Sequence, residues 1–179
     1  MGTQSDAFSR ITDSTVTVDF EAFYEAELPR VYNFFRYLLG DDQLAEDLTA
    51  ETFAKAWRNR ERYREDLASF STWVFMIARR LATDYFRKQR PTLSLEEAKH
   101  LTDPHTPEEE AQERAEFKQL LTLLARLAER ERELVALKYG AGLTNRAIAR
   151  ISGLSESNVS TILYRVTQQL RAQLENYHE

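Results

Sequence analysis

An all-α fold of two small helical domains joined by an acidic linker, the second domain carrying a helix-turn-helix, follows from three observations. Glycine and proline number only 5 and 4 in 179 residues, while Leu, Ala, Glu and Arg are abundant, which favours long helices over the hairpins of a sheet protein. Apolar residues recur at spacings of three and four and do not alternate. Residues 92–112 are polar and acidic and contain Pro104 and Pro107, the composition of a linker between packed units. A hydrophobic share of 42% against 30% charged residues is that of a globular protein with a real core. The absence of cysteine excludes disulfides, thiolate metal sites and a thiol sensor within the chain.

Taken in order, residues 1–18 are polar and acidic and predict a disordered or mobile tail. Residues 19–39 place Phe20, Phe23, Tyr24, Leu28, Val31, Phe34, Phe35 and Leu38 on one helical stripe, which Pro29 should kink or interrupt and Gly40 should end. Asp41 or Asp42 can cap a second helix whose buried side holds Leu44, Leu48, Phe53, Ala56 and Trp57. Residues 63–71 read as a polar loop. Ser71 or Thr72 can cap a third helix running to about Arg90, with Val74, Ile77, Ala78, Leu81 and Tyr85 on one face and Arg80, Asp84 and Arg87 beside it. Pro91 closes this first domain, 19–91.

Beyond the linker, the second domain spans 113–179. A helix from about Pro107 to Leu127 carries Phe117, Leu120, Leu121, Leu124 and Leu127, and a shorter one over 130–138 ends at Gly140 and Gly142. Two helices follow, 144–151 and 155–174, around a tight turn at 152–154. Ala149, Gly153 and Val159 have the spacing of a helix-turn-helix, with Ile148, Leu154, Ile162 and Leu163 completing its small core. Ser155 is an N-cap that would present Glu156, Ser157, Asn158, Ser160, Thr161, Tyr164 and Arg165 to a major groove; a plain helical hairpin has the same outline.

The formal charge of −5 conceals a strong segregation. Residues 1–28 hold six acids against Arg10, and residues 91–114 hold seven against Lys99 and Arg114. Between them, Arg79, Arg80, Arg87, Lys88 and Arg90 face only Asp84 over residues 79–90. Such a run is either a solvated helix face or a phosphate-binding one. Tyr63, Phe70, Trp73, Tyr85 and Phe86 interleave with these bases, a combination suited to stacking unpaired bases while cations meet phosphates, or else to an ordinary core. The acidic face of Asp42, Glu46, Asp47 and Glu51 is either solvated or a dock for a basic partner.

His100, His105 and His178 sit in the linker and the tail with no carboxylates at ligand spacing, so no metal or other cofactor is expected. Phosphate loops and nucleophile elbows are also missing, and the chain reads as a binder and not an enzyme. Its longest apolar run, residues 73–78, is too short to span a bilayer and no signal segment opens the chain, so a cytoplasmic protein without membrane insertion is expected.

Two stretches carry a family likeness. The first is LAEDLTAETFAKAW at residues 44–57 followed by SFSTWVFMIAR at 69–79 and DYFR at 84–87. The second is LAEREREL at 127–134, YGAGL at 139–143 and the helix-turn-helix. In this order, and separated by a linker, they resemble the bacterial RNA polymerase sigma factors of the extracytoplasmic-function (ECF) group of the sigma-70 family. That resemblance implies a transcription initiation factor whose first domain (sigma region 2) binds core polymerase and opens the promoter and whose second (sigma region 4) binds the minus-thirty-five duplex.

By that resemblance Glu46, Asp47, Leu48, Glu51, Phe53 and Trp57 form the polymerase-docking surface, toward the beta-prime clamp helices, with the beta flap as a second contact. Loop residues 64–72 and the third helix, with Phe70, Ser71, Trp73, Arg79, Arg80, Asp84, Arg87 and Lys88, form the minus-ten reader, where a base leaves the stack. Ser157, Asn158, Ser160, Thr161, Tyr164 and Arg165 form the minus-thirty-five reader. The linker would lie near the RNA-exit path or mask DNA-binding surfaces in the free protein. An anti-sigma factor is the expected regulator.

Three positions depart from the family pattern. Arg80 stands where Asn is common, Ala128 replaces a common Pro, and residues 159–169 contain Arg165 as their one base. The last departure implies weaker and less salt-dependent duplex binding by this domain alone. Two other classes compete with the sigma reading: a helix-turn-helix regulator acting without polymerase, and a helical adaptor with no DNA partner.

Overall fold

The structure, a computed structural model, describes residues 19–89 and 108–175. The expected mobile tail, residues 92–107 of the linker and all three histidines lie outside them. Seven α-helices account for most of the described residues, and no strand occurs among them.

Helix α1, Phe20–Leu39, starts where the Asp19 carboxylate accepts the Ala22 N–H at 3.2 Å, and it ends where Gly40 turns left-handed at φ 70°. The helix runs unbroken through Pro29. Proline removes one rung and normally costs about 3 kcal/mol in a helix interior. Val31, Phe34, Phe35 and Leu38 are all buried just beyond it, and burying each contributes about 1.5–3 kcal/mol, so packing overrides the local penalty.

Helix α2, Asp42–Arg58, is capped by Asp41, which accepts the Leu44 N–H at 2.9 Å. It buries Ala45, Leu48, Phe53 and Ala56 together with Thr49 and Thr52, whose hydroxyls satisfy themselves on the carbonyls of Ala45 and Leu48. After a 3-10 turn, Arg60–Arg62, and a short loop comes α3, Phe70–Gln89. Its cap is Ser69, whose hydroxyl accepts the Thr72 N–H at 3.2 Å, and not Ser71 or Thr72 as the sequence suggests. The helix thus starts at least two residues earlier than expected, and Phe70 and Phe75 lie in the core beside Val74 and Ala78.

Helix α4, Glu108–Ala125, begins inside the segment read as linker. It is followed by α5, Glu129–Val135, and by a π-helical turn, Ala136–Gly140, where the sequence predicts one helix over 130–138. The widened turn carries Gly140 against α1: a Cβ on Gly140 would lie 2.8 Å from the Asn33 carbonyl oxygen. Helices α6, Asn145–Ser152, and α7, Glu156–Glu175, form the helix-turn-helix. Thr144 caps α6, Gly153 turns left-handed at φ 73°, and Ser155 accepts the Asn158 N–H at 3.2 Å. Ile148 and Val159 are fully buried between the two helices.

The two halves are packed on each other. Helix α1 meets α4, α5 and the π-helical turn, α3 meets α6, and one continuous apolar core runs from Val31 in the first half to Leu170 in the second.

Candidate nucleic-acid and polymerase interface

Three surfaces hold the residues singled out from the sequence. On α2, Glu46, Asp47 and Glu51 are exposed along one face, with Glu51 paired to Lys55 at 3.0 Å. Leu48 and Phe53 are buried beneath that face. They belong to the core and hold the acidic ridge from behind; they are not open to a partner. Trp57 is half-buried, with Phe20 edge-on at 4.9 Å and the Arg60 guanidinium 4.1 Å over its ring. At the other end of α2, burial is the main cause that raises the Tyr32 phenol pKa, and the negative charge of Asp42 adds to it.

The second surface is α3 and the loop before it. Phe70 is buried at the centre of a ring cluster made by Phe20, Phe23, Tyr63 and Trp73, with Phe23 4.5 Å and Tyr63 4.9 Å away. It therefore supports the loop from within and is not itself a stacking platform. The Tyr63 hydroxyl donates to the Ala68 carbonyl at 3.0 Å, and burial raises its pKa. Arg64 grips Asp66 with two hydrogen bonds of 2.8 and 2.7 Å, which lowers the Asp66 pKa, and leaves Leu67 58% exposed at the loop tip. Ser71 turns inward to donate to Glu27 at 3.1 Å. Arg80, Arg87 and Lys88 face solvent, with Asp84 bridging Arg87 at 2.9 Å. Arg79 is engaged across the molecule by Glu133 at 2.7 Å.

The third surface is the outer face of α7. Ser157, Asn158, Ser160, Thr161, Tyr164 and Arg165 are all exposed, Tyr164 by 69%. Ser160 receives the Asn145 side-chain amide at 2.9 Å, which ties the start of α6 to α7. The Arg165 guanidinium is held by Glu131 of α5.

Sequence reasoning missed the groups joining the halves. Glu27, a buried acid on α1, receives Arg30 at 2.6 Å, and Arg30 in turn donates to the Ala141 carbonyl at 2.8 Å. Arg132 lies 5.5 Å over Phe86 of α3, its buried Nε without a hydrogen-bond partner, and burial lowers its pKa. Glu27 and Arg30 are three residues apart, but the partners that give these residues their role, Ser71, Ala141 and Phe86, lie far away in sequence and leave no local signal.

Comparison with known proteins assigns families to both halves. Residues 23–92 match Sigma-70 region 2 and residues 117–170 match Sigma-70 region 4, together 124 of the 179 residues. The ECF RNA polymerase sigma factor BldN of Streptomyces coelicolor is 29% identical over 170 residues, 93% of this chain and 60% of BldN. SigM of Bacillus subtilis, another ECF sigma factor, is 28% identical over 158 residues, 88% of this chain and 94% of SigM. Among solved structures, the sigma factor RpoE, determined in complex with the anti-sigma factor NepR from Bartonella quintana, superposes with a TM-score of 0.70 at 22% identity, over 88% of this chain and 97% of RpoE. CnrH, determined in complex with the cytosolic domain of CnrY, gives a TM-score of 0.60 at 22% identity, over 87% and 84%.

Proposed function

Because the chain belongs to the sigma-70 family, in its ECF group, we propose that it binds core RNA polymerase, directs it to specific promoters and assists melting of the minus-ten element, with no catalytic activity of its own. The observation that carries this reading is the order of the two family matches, region 2 then region 4, with exposed candidate contact residues on α2, α3 and α7. The division of labour is a region 2 domain over 19–91, a linker that yields to α4 at Glu108, and a region 4 domain over 113–179.

In the polymerase role, Glu46, Asp47 and Glu51 meet basic side chains of the clamp, and the exposed part of Trp57 adds an apolar edge. Arg80, Arg87 and Lys88 meet phosphates of the melted strand, and Trp73 borders the pocket that receives an extruded base. Ser160, Thr161, Tyr164 and Arg165 read base edges of the minus-thirty-five duplex. An anti-sigma factor that covers these surfaces is the expected negative regulator, and the cytoplasm is the expected site of action.

The test is transcription from a promoter library by purified bacterial core polymerase with and without the protein, with transcript starts sequenced. Starts that need the protein and share two upstream elements at fixed spacing support the reading. The double variant D47K/E51K should lose polymerase binding while keeping its helical circular dichroism. Symmetric footprints without polymerase, and no new starts, would favour a simple helix-turn-helix regulator.

A further inference from the structure

Hydrogen bonds within the protein have already used part of the outer face of α7. Ser160 donates its hydroxyl proton to the Glu156 carbonyl at 3.0 Å and accepts the Asn145 amide at 2.9 Å. Thr161 donates to the Ser157 carbonyl at 3.0 Å. Both hydroxyls are therefore left as acceptors. The Arg165 guanidinium is held by Glu131. Ser157, Asn158 and Tyr164 are exposed, and their side-chain donors have no partner among the described residues. A hydroxyl rotates to donate or accept and so suits several bases, whereas a carboxamide holds a donor and an acceptor in one plane at fixed spacing. That pattern matches the N7 acceptor and N6 amino group that adenine presents in the major groove.

Asn145, the other asparagine at this surface, is spent, with its Nδ2 on Ser160 and its Oδ1 buried. Gln168 and Gln169 lie ten or more residues further along α7, about 15 Å away and outside the N-terminal turns that a helix-turn-helix lays on base edges. Asn158 is the third residue of α7. Its own N–H is taken by the Ser155 cap at 3.2 Å, which fixes the backbone from which the carboxamide projects.

We propose that Asn158 is a specificity-determining residue that reads one adenine of the minus-thirty-five duplex, accepting from N6 with Oδ1 and donating to N7 with Nδ2. The inference rests on the reading of α7 as the duplex-binding helix, and it adds which base that helix demands and through which atoms. Residues 159–169 carry one basic side chain, Arg165, and that one is shared with Glu131. Selection therefore falls to a neutral amide pair, and the preference for adenine should persist as added salt lowers the overall affinity.

The test is selection of duplexes with a randomised upstream segment by the full chain, once bound to core polymerase and once alone at low salt. The wild-type protein should enrich adenine about tenfold at one position. N158A, checked for retained helical circular dichroism, should lose that enrichment while the preferences at other positions stand. N158D, which offers two acceptors and no donor, should move the preference at that position from adenine to cytosine, whose N4 amino group donates. Placing 7-deazaadenine there, which removes the N7 acceptor, should weaken binding by the wild-type protein several-fold and leave N158A unmoved. A profile unchanged in either variant, a loss spread evenly over all positions, indifference to 7-deazaadenine, or a wild-type protein that enriches no adenine overturns the proposal. Transcript starts separate this outcome from the sigma reading. Protein-dependent starts with the N158A profile unmoved sink the adenine contact alone, whereas an adenine preference that N158A removes, in a protein that yields no starts, sinks the sigma reading alone.

Discussion

Gly140 shows how one residue fixes the relation between the halves. Its backbone conformation needs no left-handed freedom, unlike that of Gly40 and Gly153; what it requires is space, because an added Cβ would sit 2.8 Å from the Asn33 carbonyl oxygen and 3.3 Å from the Phe34 Cα. Both are backbone atoms of α1 and cannot swing aside. Gly140→Ala is therefore expected to destabilise the protein by about 1–3 kcal/mol, seen as a lower urea midpoint at constant slope. An unaltered midpoint would mean that α1 yields freely at Asn33. Read from sequence alone, Gly140 is a helix stop, which is the local meaning of glycine after an apolar stretch. Its actual role involves a residue more than a hundred positions earlier, and no periodicity reports that. The same holds for Glu27 and Arg30, which link Ser71 to the Ala141 carbonyl. A second expectation belongs at this scale. Glu27→Ala leaves Arg30 partly buried without its acid, and a loss of about 2–3 kcal/mol is expected, whereas Glu27→Gln, whose amide oxygen can accept from Arg30 while its NH2 donates to the Ser71 hydroxyl, should lose less.

At the scale of the element, legibility follows how local each signal is. The helix-turn-helix was readable because Thr144, Gly153 and Ser155 act within a few residues of themselves, as the observed caps do. Helix α5 and the π-helical turn after it were read as one plain helix because the extra residue in the turn answers to α1 and not to its own neighbours. On α3 the period finds the face of Val74 and Ala78 but not Phe75, and it leaves Phe70 open between core and stacking roles, though both rings are buried; aromatic rings beside arginines suit both roles, and only packing separates them. The outer face of α7 carries a direct test of the minus-thirty-five assignment. Tyr164 is 69% exposed and Arg165 is exposed apart from its ion pair with Glu131, so Y164A should leave the unfolding midpoint nearly unchanged and R165A should cost at most about 1 kcal/mol. Each should lower transcription from protein-dependent promoters about tenfold or more, with relaxed sequence preference at one base step. Unchanged transcript-start profiles in both variants would remove α7 from the reading of the promoter.

For the molecule as a whole, the linker composition announced two units, and nothing in the sequence announced that they share a core. Leu134, Leu137 and Ala136 from the second half are fully buried in the same cluster as Val31, Phe34 and Phe35 from the first. Two domains merely tethered would unfold independently, each with its own enthalpy. A shared core couples them, and the free protein should melt in a single transition with coincident near- and far-ultraviolet circular dichroism curves. Two resolved transitions would show that the halves part before either unfolds. Salt separates the forces that hold them. The Arg79–Glu133 pair is partly exposed and is screened as ionic strength rises, whereas the contact of Gly140 with α1 and the apolar cluster around it is not. Added sodium chloride should therefore lower the midpoint by only a few degrees while the transition stays single. A split into two transitions at high salt would instead assign the docking of the halves chiefly to ion pairs such as Arg79–Glu133.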